Sequence, residues 1–269
     1  MTDRKYIVRK WCNKLRDKDI VCLQEIKEVK FQSSCINKLL WDKAIGFHSE
    51  HEKGKGGMEM LVGPKWADSI VQHGCSECQR VLWATFKTGE DIIGICNIYA
   101  PNDYKERIAL WEWCSSNLPK ASWIFVGDFN MIEKGSDKQG GLKHQWKGNE
   151  HFFWCNFRRC FNLFDPLENS RASYNDIWFT WCNNQGGQNR VYCRLDRIYC
   201  DSSFFSFLAE EGHSPIIVSP AAMSDHSPIS TRIMINKDDN ADTNKRKNRS
   251  FKLNIALLKD SDNKEAIKM

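Results

Sequence analysis

Apolar positions along the chain first recur at helical spacing. Ile7, Val8, Trp11 and Leu15 share one face, which predicts an amphipathic helix over 3–17. DIVCLQE (19–25) follows as a short apolar run that ends in polar residues. It predicts a buried strand whose C-terminal end opens into a site. Ile36, Leu39 and Leu40 suggest a second helix over 34–43, and GKGGMEMLVG (54–63) reads as a glycine-bounded loop entering a strand. IIGICNIYAP (92–101) predicts another buried strand, stopped by Pro101. Ile108, Trp111, Cys114 and Leu118 form a helical stripe over 104–118. SWIFVGDFN (122–130) predicts a third apolar strand with a polar end. Residues 133–150 lack periodicity and read as a loop, and Phe153, Phe157 and Phe161 mark a further helix.

The pattern changes in the second half. DIWFTWCN (176–183) and NRVYCRLDRIYC (189–200) flank a glycine-containing loop and predict a hairpin. PIIVSP (215–220) comes next, and then HSPISTRIMIN (226–236), in which Ile229, Thr231, Ile233 and Ile235 alternate. Strands and helices mixed with hairpins in this order predict two packed mixed sheets with helices outside. After Asn236 the chain turns polar and patternless over 237–250, as a linker does. Residues 251–269 regain helical spacing through Leu253, Leu257 and Leu258. The organisation read from this is one domain over 1–236, a linker, and a short further segment.

Composition changes the picture little. Of 269 residues, 41% are hydrophobic and 27% charged, ordinary values for a chain with a sizeable core. The net charge is +5, and the stretch after Asn236 holds nine Lys/Arg against six Asp/Glu, which leaves +2 for the body. Charge alone therefore does not mark a nucleic-acid binder. Twelve Cys raise the question of disulfides. Several lie inside apolar runs, however (Cys22, Cys96, Cys193), where reduced cysteine serves as a small hydrophobe. Cys75 and Cys78 form one CxxC with no second pair at zinc-finger spacing. With no apolar run of about 18 residues and no apolar leader after MTDRKYIVRK, the sequence places the protein inside the cell and off the membrane.

The candidate chemistry sits at strand ends. Glu25 closes DIVCLQE, Tyr99 and Asn102 close IYAPN, and Asp128 and Asn130 close IFVGDFN. Asp196 lies in RLDRIY, and Asp225 and His226 precede the last strand. A core strand that ends in a charge needs a reason, because an unpaired buried charge is costly. Converging carboxylates supply one by binding a hard cation through oxygen. Each residue alone has an ordinary reading: Glu25 as a surface group, Asp128 and Asn130 as turn caps, Asp196 as a local ion pair between Arg194 and Arg197. Four separate loops would have to imitate one site together.

The ordered set LQE-x-K, Y-x-P-N, GDFN, RLDR and SDH resembles the endonuclease/exonuclease/phosphatase superfamily, over roughly residues 1–236. FTWCNNQGGQNRVYCRLDRIYCD and IYAPND…WIFVGDFNMIEKGSDKQGG resemble the endonuclease domain of plant LINE-type retrotransposons. RSFKLNIALLK is similar to the start of the connector that leads to a reverse transcriptase there. The resemblance implies a DNase-I-like α/β (α+β) fold, a two-sheet sandwich of mixed strands flanked by helices. It implies a metal-dependent phosphodiesterase with Mg²⁺ or Mn²⁺ as cofactor and DNA as partner. Glu25 would be a metal ligand with Asp225 near the ion. Asp128 would orient or deprotonate the attacking water beside Asn130. His226 would contact the scissile phosphate, oriented by Asp196, and Tyr99 and Asn102 would hold the phosphate. Lys134, Lys138, Lys143, His144, Trp146 and Lys147 suit a phosphate backbone. KRKNR (245–249) is a candidate nuclear-import patch.

The family opens with a strand ending in a Trp-Asn-like motif, and here Met1-Thr2-Asp3 runs directly into the amphipathic stretch. The resemblance therefore implies a missing first strand and neighbours with unpaired backbone groups. It also implies the loss of one transition-state donor, a deficit of roughly 10²–10³ in rate, so impaired activity is expected. Two alternatives stand beside this reading: a phosphatase or lipid phosphodiesterase of the same superfamily, and a catalytically dead remnant.

Overall fold

The computed structural model describes residues 15–26, 44–49, 56–167, 179–204, 216–219, 224–235 and 249–257. In chain order the strands of the first half are β1 (Ile20–Gln24), β2 (Ile45–His48), β3 (Met58–Val62), β4 (Ile70–Cys75), β5 (Val81–Thr88) and β6 (Asp91–Tyr99). Helix α1 (Tyr104–Asn117) precedes β7 (Ser122–Asp128) and the short β8 (Lys138–Gln139). Helix α2 (Glu150–Cys160) leads to β9 (Leu163–Phe164), β10 (Trp181–Cys182), β11 (Tyr192–Cys193) and β12 (Asp196–Asp201). The last strands are β13 (Ile216–Val218), β14 (Ile229–Ile235) and β15 (Arg249–Leu257). The helices expected over 3–17 and 34–43 lie largely outside the described residues.

Two six-stranded sheets carry the fold. The first runs β13-β14-β15-β1-β3-β2 and the second β4-β5-β6-β7-β12-β9, with β8, β10 and β11 in a small third sheet. Alternation sorts the side chains. Ile20, Cys22, Met58, Met60 and Ile233 of the first sheet meet Ala84, Phe86, Ile95, Ile124, Val126 and Ile198 of the second in one apolar layer. The opposite face of the second sheet, with Cys96, Ile98, Trp123, Phe125 and Tyr199, is covered by Leu110, Trp111 and Cys114 of α1 and by Trp154 and Phe157 of α2. Asp103 caps α1, its carboxylate accepting from the backbone N–H of Lys105 at 2.9 Å and of Glu106 at 3.2 Å.

Strands β6 and β7 are parallel neighbours, and β12 runs antiparallel to β7. The C-terminal ends of β6 and β7 and the N-terminal end of β12 therefore share one rim. In the first sheet β15 is parallel to β1 and antiparallel to β14, so the end of β1 and the start of β14 share one rim as well. This places every strand-end motif on a common side of its sheet.

Several readings change. Residues 251–257 are not helical: Arg249–Leu257 is an extended strand between β1 and β14. A missing first strand was expected to leave unpaired neighbours, and β1 is not such a neighbour, since it pairs with β3 on one side and β15 on the other. The loop over 133–150 contains the two-residue strand β8, paired to β11. β4 and β5 fall where no strand was expected. The DIWFTWCN and NRVYCRLDRIYC hairpin forms as β10 against β11, and β12 then departs to the second sheet. Cys22, Cys96 and Cys193 are free and buried, and Cys75 and Cys78 are free thiols. Among the described residues no helix is long and apolar enough to cross a membrane.

Candidate active site

Asn97 and Tyr99 lie on the face of β6 that looks toward the first sheet. There Gln24 donates to the Asn97 side-chain carbonyl, and the Tyr99 hydroxyl donates to Glu25 Oε1. Asn97 also donates to the carbonyl oxygens of Leu23, at 3.1 Å, and Glu59, at 3.2 Å. The two sheets are thus stitched together at the rim. Glu25 adopts a left-handed conformation, φ 54°, directly after β1. For a residue with a bulky side chain that conformation is uncommon and stores strain. Burial, then the hydrogen bond to Glu25, raises the Tyr99 hydroxyl above its ordinary range, so it stays a donor. The Arg80 guanidinium lies over the Tyr99 ring, 4.7 Å from its centroid.

Asp128 ends β7 beside Tyr99 and opposite Asp196, paired with each across the ladder. The preceding Gly127 has φ +133°, and a Cβ there would sit 1.9 Å from the Ile98 carbonyl oxygen. Only glycine lets β7 approach β6 closely enough at this point. The Asp128 carboxylate accepts from the Asn130 backbone N–H at 2.9 Å, holding Asn130 at φ 46°. The Asn130 side chain donates to the Ala100 carbonyl at 2.7 Å, which ties the GDFN turn to the end of β6.

Asp196 and His226 meet directly, with Oδ2 to Nδ1 at 2.8 Å and both side chains buried. A carboxylate on one imidazole nitrogen fixes the tautomer and aims the other nitrogen. Arg194 and Arg197 do not take Asp196 as partner. Arg194 pairs with Asp165 and Arg197 with Asp137, each at 2.7 Å, in a buried network behind the strand. The local ion-pair reading of Asp196 is therefore wrong.

The segment Thr180–Cys182 joins these parts. Buried Thr180 accepts through Oγ1 from the backbone N–H of Leu195 at 3.0 Å and of Asp196 at 2.9 Å. Its carbonyl accepts from the Ser227 backbone N–H at 2.7 Å. Trp181 forms a bridge with His226, and its indole N–H donates to Asp225 Oδ2 at 2.8 Å.

Glu25, Tyr99, Asp128, Asn130, Asp196, Asp225 and His226 thus form one chain of contacts and neighbouring strand positions. Asn102 is exposed at the entrance to α1, its carbonyl accepting from Arg107 at 2.8 Å. Thr180, Trp181, Arg80 and Gly127 were not singled out from sequence. The FTW preceding RLDR was the available signal for the first two. Among the described residues no three His, Cys, Asp or Glu side chains gather closely enough to enclose a metal by themselves. The donors at the rim are carboxylate oxygens, and Mg²⁺-like ions bind through one or two of these and keep several waters. Glu25 and Asp225 supply carboxylate oxygens of this kind at the rim.

Two packed sheets with this rim constitute a DNase-I-like α+β fold. The chain belongs to the Endonuclease/Exonuclease/phosphatase family, whose model matches residues 7–226. Among solved structures it is similar to the 3′ phosphatase NExo from Neisseria bound to product DNA hairpin, with a TM-score of 0.63, 17% identity, and 85% of this chain and 93% of that one covered. It is also similar to the AP endonuclease LMAP from Leishmania major, with a TM-score of 0.59, 17% identity, and 84% and 81% covered. No curated protein matches the sequence. At these identities the structural likeness concerns the fold.

Proposed function

We propose that this chain is a divalent-metal-dependent phosphodiesterase that acts on DNA at the rim formed by Glu25, Asp128, Asp196 and His226. The observation that carries the reading is the buried Asp196–His226 pair on the strand whose first residue faces Asp128. Glu25 and Asp225 would hold Mg²⁺ or Mn²⁺. When bound, the ion neutralises charge on the phosphoryl oxygens and lowers the pKa of a coordinated water.

The chain's own residues do the rest. Asp128 orients the attacking water and accepts its proton. The second N–H of the Asn130 amide is a donor beside the developing charge, the Tyr99 hydroxyl would become one on releasing Glu25, and the exposed Asn102 is placed to meet the substrate phosphate. His226, held by Asp196, contacts the scissile phosphate and supports the leaving oxygen. Family membership over 7–226 supports the hydrolase class.

DNA as substrate and a plant LINE-type element as origin are the finer part of the proposal. Supporting them are the resemblance of residues 98–141 and 179–201 to that subgroup and the exposed Lys134, Lys143 and Lys147, with Trp146, in the loop after GDFN. On this reading residues 1–236 follow the subgroup's endonuclease and the segment after them its connector, although residues 249–257 of that segment return as strand β15 of the first sheet, and the protein works where DNA is, in the nucleus.

Supercoiled plasmid and soluble inositol phosphates, offered side by side with Mg²⁺, test the substrate. Plasmid relaxation without inositol phosphate hydrolysis is expected. The reverse would overturn the DNA reading in favour of a phosphatase. Hydrolysis of neither by folded protein would identify a remnant.

A further inference from the structure

We infer that Trp181 is a positioning residue that fixes Asp225 through its indole N–H and thereby sets the strength with which the rim takes a divalent cation. The inference rests on the metal-dependent reading above. It begins from the geometry of one carboxylate. Asp225 Oδ2 accepts from Trp181 Nε1 at 2.8 Å, a short bond for a neutral donor. Asp225 Oδ1 lies 3.4 Å from the Ser224 hydroxyl, and the Asp225 carbonyl accepts from the Cys182 backbone N–H at 3.2 Å. The tryptophan thus holds the side chain, and its chain neighbour holds the backbone of the same residue.

The placement of Trp181 gives this bond its leverage. β10 is only two residues long, yet Trp181 pairs with Cys193 on one side and bridges His226 on the other. Its neighbour Thr180 is bonded to Asp196 and to Ser227. This segment therefore helps register the loop carrying Asp225 and His226 against the strand carrying Asp196, beside the direct Asp196–His226 bond. A loop carboxylate has several rotamers in water, and a cation site gains when one of them is selected beforehand. An indole N–H suits this work because it donates and cannot accept, so it directs one carboxylate oxygen and leaves the charge available. Phenylalanine keeps most of the ring and removes the donor.

The test is Mn²⁺ binding to the full chain, followed by electron paramagnetic resonance of the free ion, with no substrate present. Trp181→Phe should weaken binding by about 10–100-fold, the usual effect of removing a group that orients a ligand. In an Asp225→Asn background the same substitution should change binding little, because the group it acts through is gone. Unchanged binding in Trp181→Phe, or an equal loss in both backgrounds, overturns the inference and leaves the phosphodiesterase reading intact. Absence of Mn²⁺ binding by the unsubstituted chain overturns the metal-dependent reading, and the inference with it. Should Trp181→Phe not fold, hydrogen exchange of the Trp181 indole proton takes its place. Exchange about tenfold faster in Asp225→Ala is expected for one lost hydrogen bond, and unchanged exchange overturns the inference.

Discussion

Asp128 and Asp196 face each other as direct partners on adjacent antiparallel strands, both buried. Like charges at such positions oppose pairing. The site separates their tasks: Asp196 turns to His226, while Asp128 accepts from the Asn130 backbone. Asp128→Asn keeps the backbone acceptor and removes one charge. It should lower plasmid nicking by roughly 10²–10⁴-fold, the usual effect of losing a positioned base. Thermal melting should show the variant at least as stable as the parent, because the repulsion is relieved. A clear drop in melting temperature would mean that the second charge is structural.

Asp196→Asn tests the pairing from the other side. It preserves shape but reverses the donor pattern at His226 Nδ1, and so destabilises the tautomer the pair selects. Turnover should fall by about 10²–10⁴-fold with a small change in KM. Combined with His226→Ala the losses should not add, since the two act as one unit. Additive losses in steady-state kinetics would separate them.

The central position of β15 predicts that the chain cannot be shortened to residue 236 without cost. Residues 249–257 bond to β1 on one side and β14 on the other. Without them β1 and β14 each lose one of two partners and expose a strand edge. A chain ending at 236 should melt at lower temperature and aggregate. Asn254→Pro, which removes one N–H from an interior ladder, should lower the melting temperature in the same direction. Equal melting of the truncated and full chains would show that β15 contributes nothing to the sheet.

Glu59 on β3 is buried, and burial raises its carboxyl group from an ordinary 4.5 to about 8. A carboxyl group that holds its proton more tightly in the folded chain contributes its full stability below the unfolded value. It loses that contribution as pH rises through the folded one. Stability should therefore fall between about pH 4.5 and pH 8 through this group. Each full pH step inside that window costs up to about 1.4 kcal/mol. Glu59→Gln should flatten this slope and be more stable than the parent at pH 8, which denaturant titration at several pH values measures. An unchanged slope would assign the pH dependence elsewhere.

The parts of the fold legible in sequence were the strands buried on both faces. DIVCLQ and SWIFVGD each form an apolar run with a polar end, IIGICNIY does so with Asn97 alone inside it, and those ends are where Glu25, Asp128 and Tyr99 emerge. β5 was missed because VLWATFKT mixes polar and aromatic residues without strict alternation. β15 was misread because Leu253 and Leu257 satisfy a helical interval, while Phe251, Leu253, Ile255 and Leu257 also satisfy a strand's period of two. Only the neighbours β1 and β14 decide between them. The same holds at the site. The motif residues stood out by type, but the work of Thr180 and Trp181 depends on contacts with Asp196 and Asp225, sixteen and forty-four positions away. No local pattern encodes such distances.

The measurement closest to the central claim is relaxation of supercoiled plasmid as Mg²⁺ is titrated into chelator-treated protein, comparing the unsubstituted chain with Glu25→Gln. No cleavage is expected with chelator present, with cleavage restored by Mg²⁺ and a substantially higher Mg²⁺ requirement for the variant. Cleavage indifferent to chelator, or an identical Mg²⁺ requirement in both proteins, would contradict it.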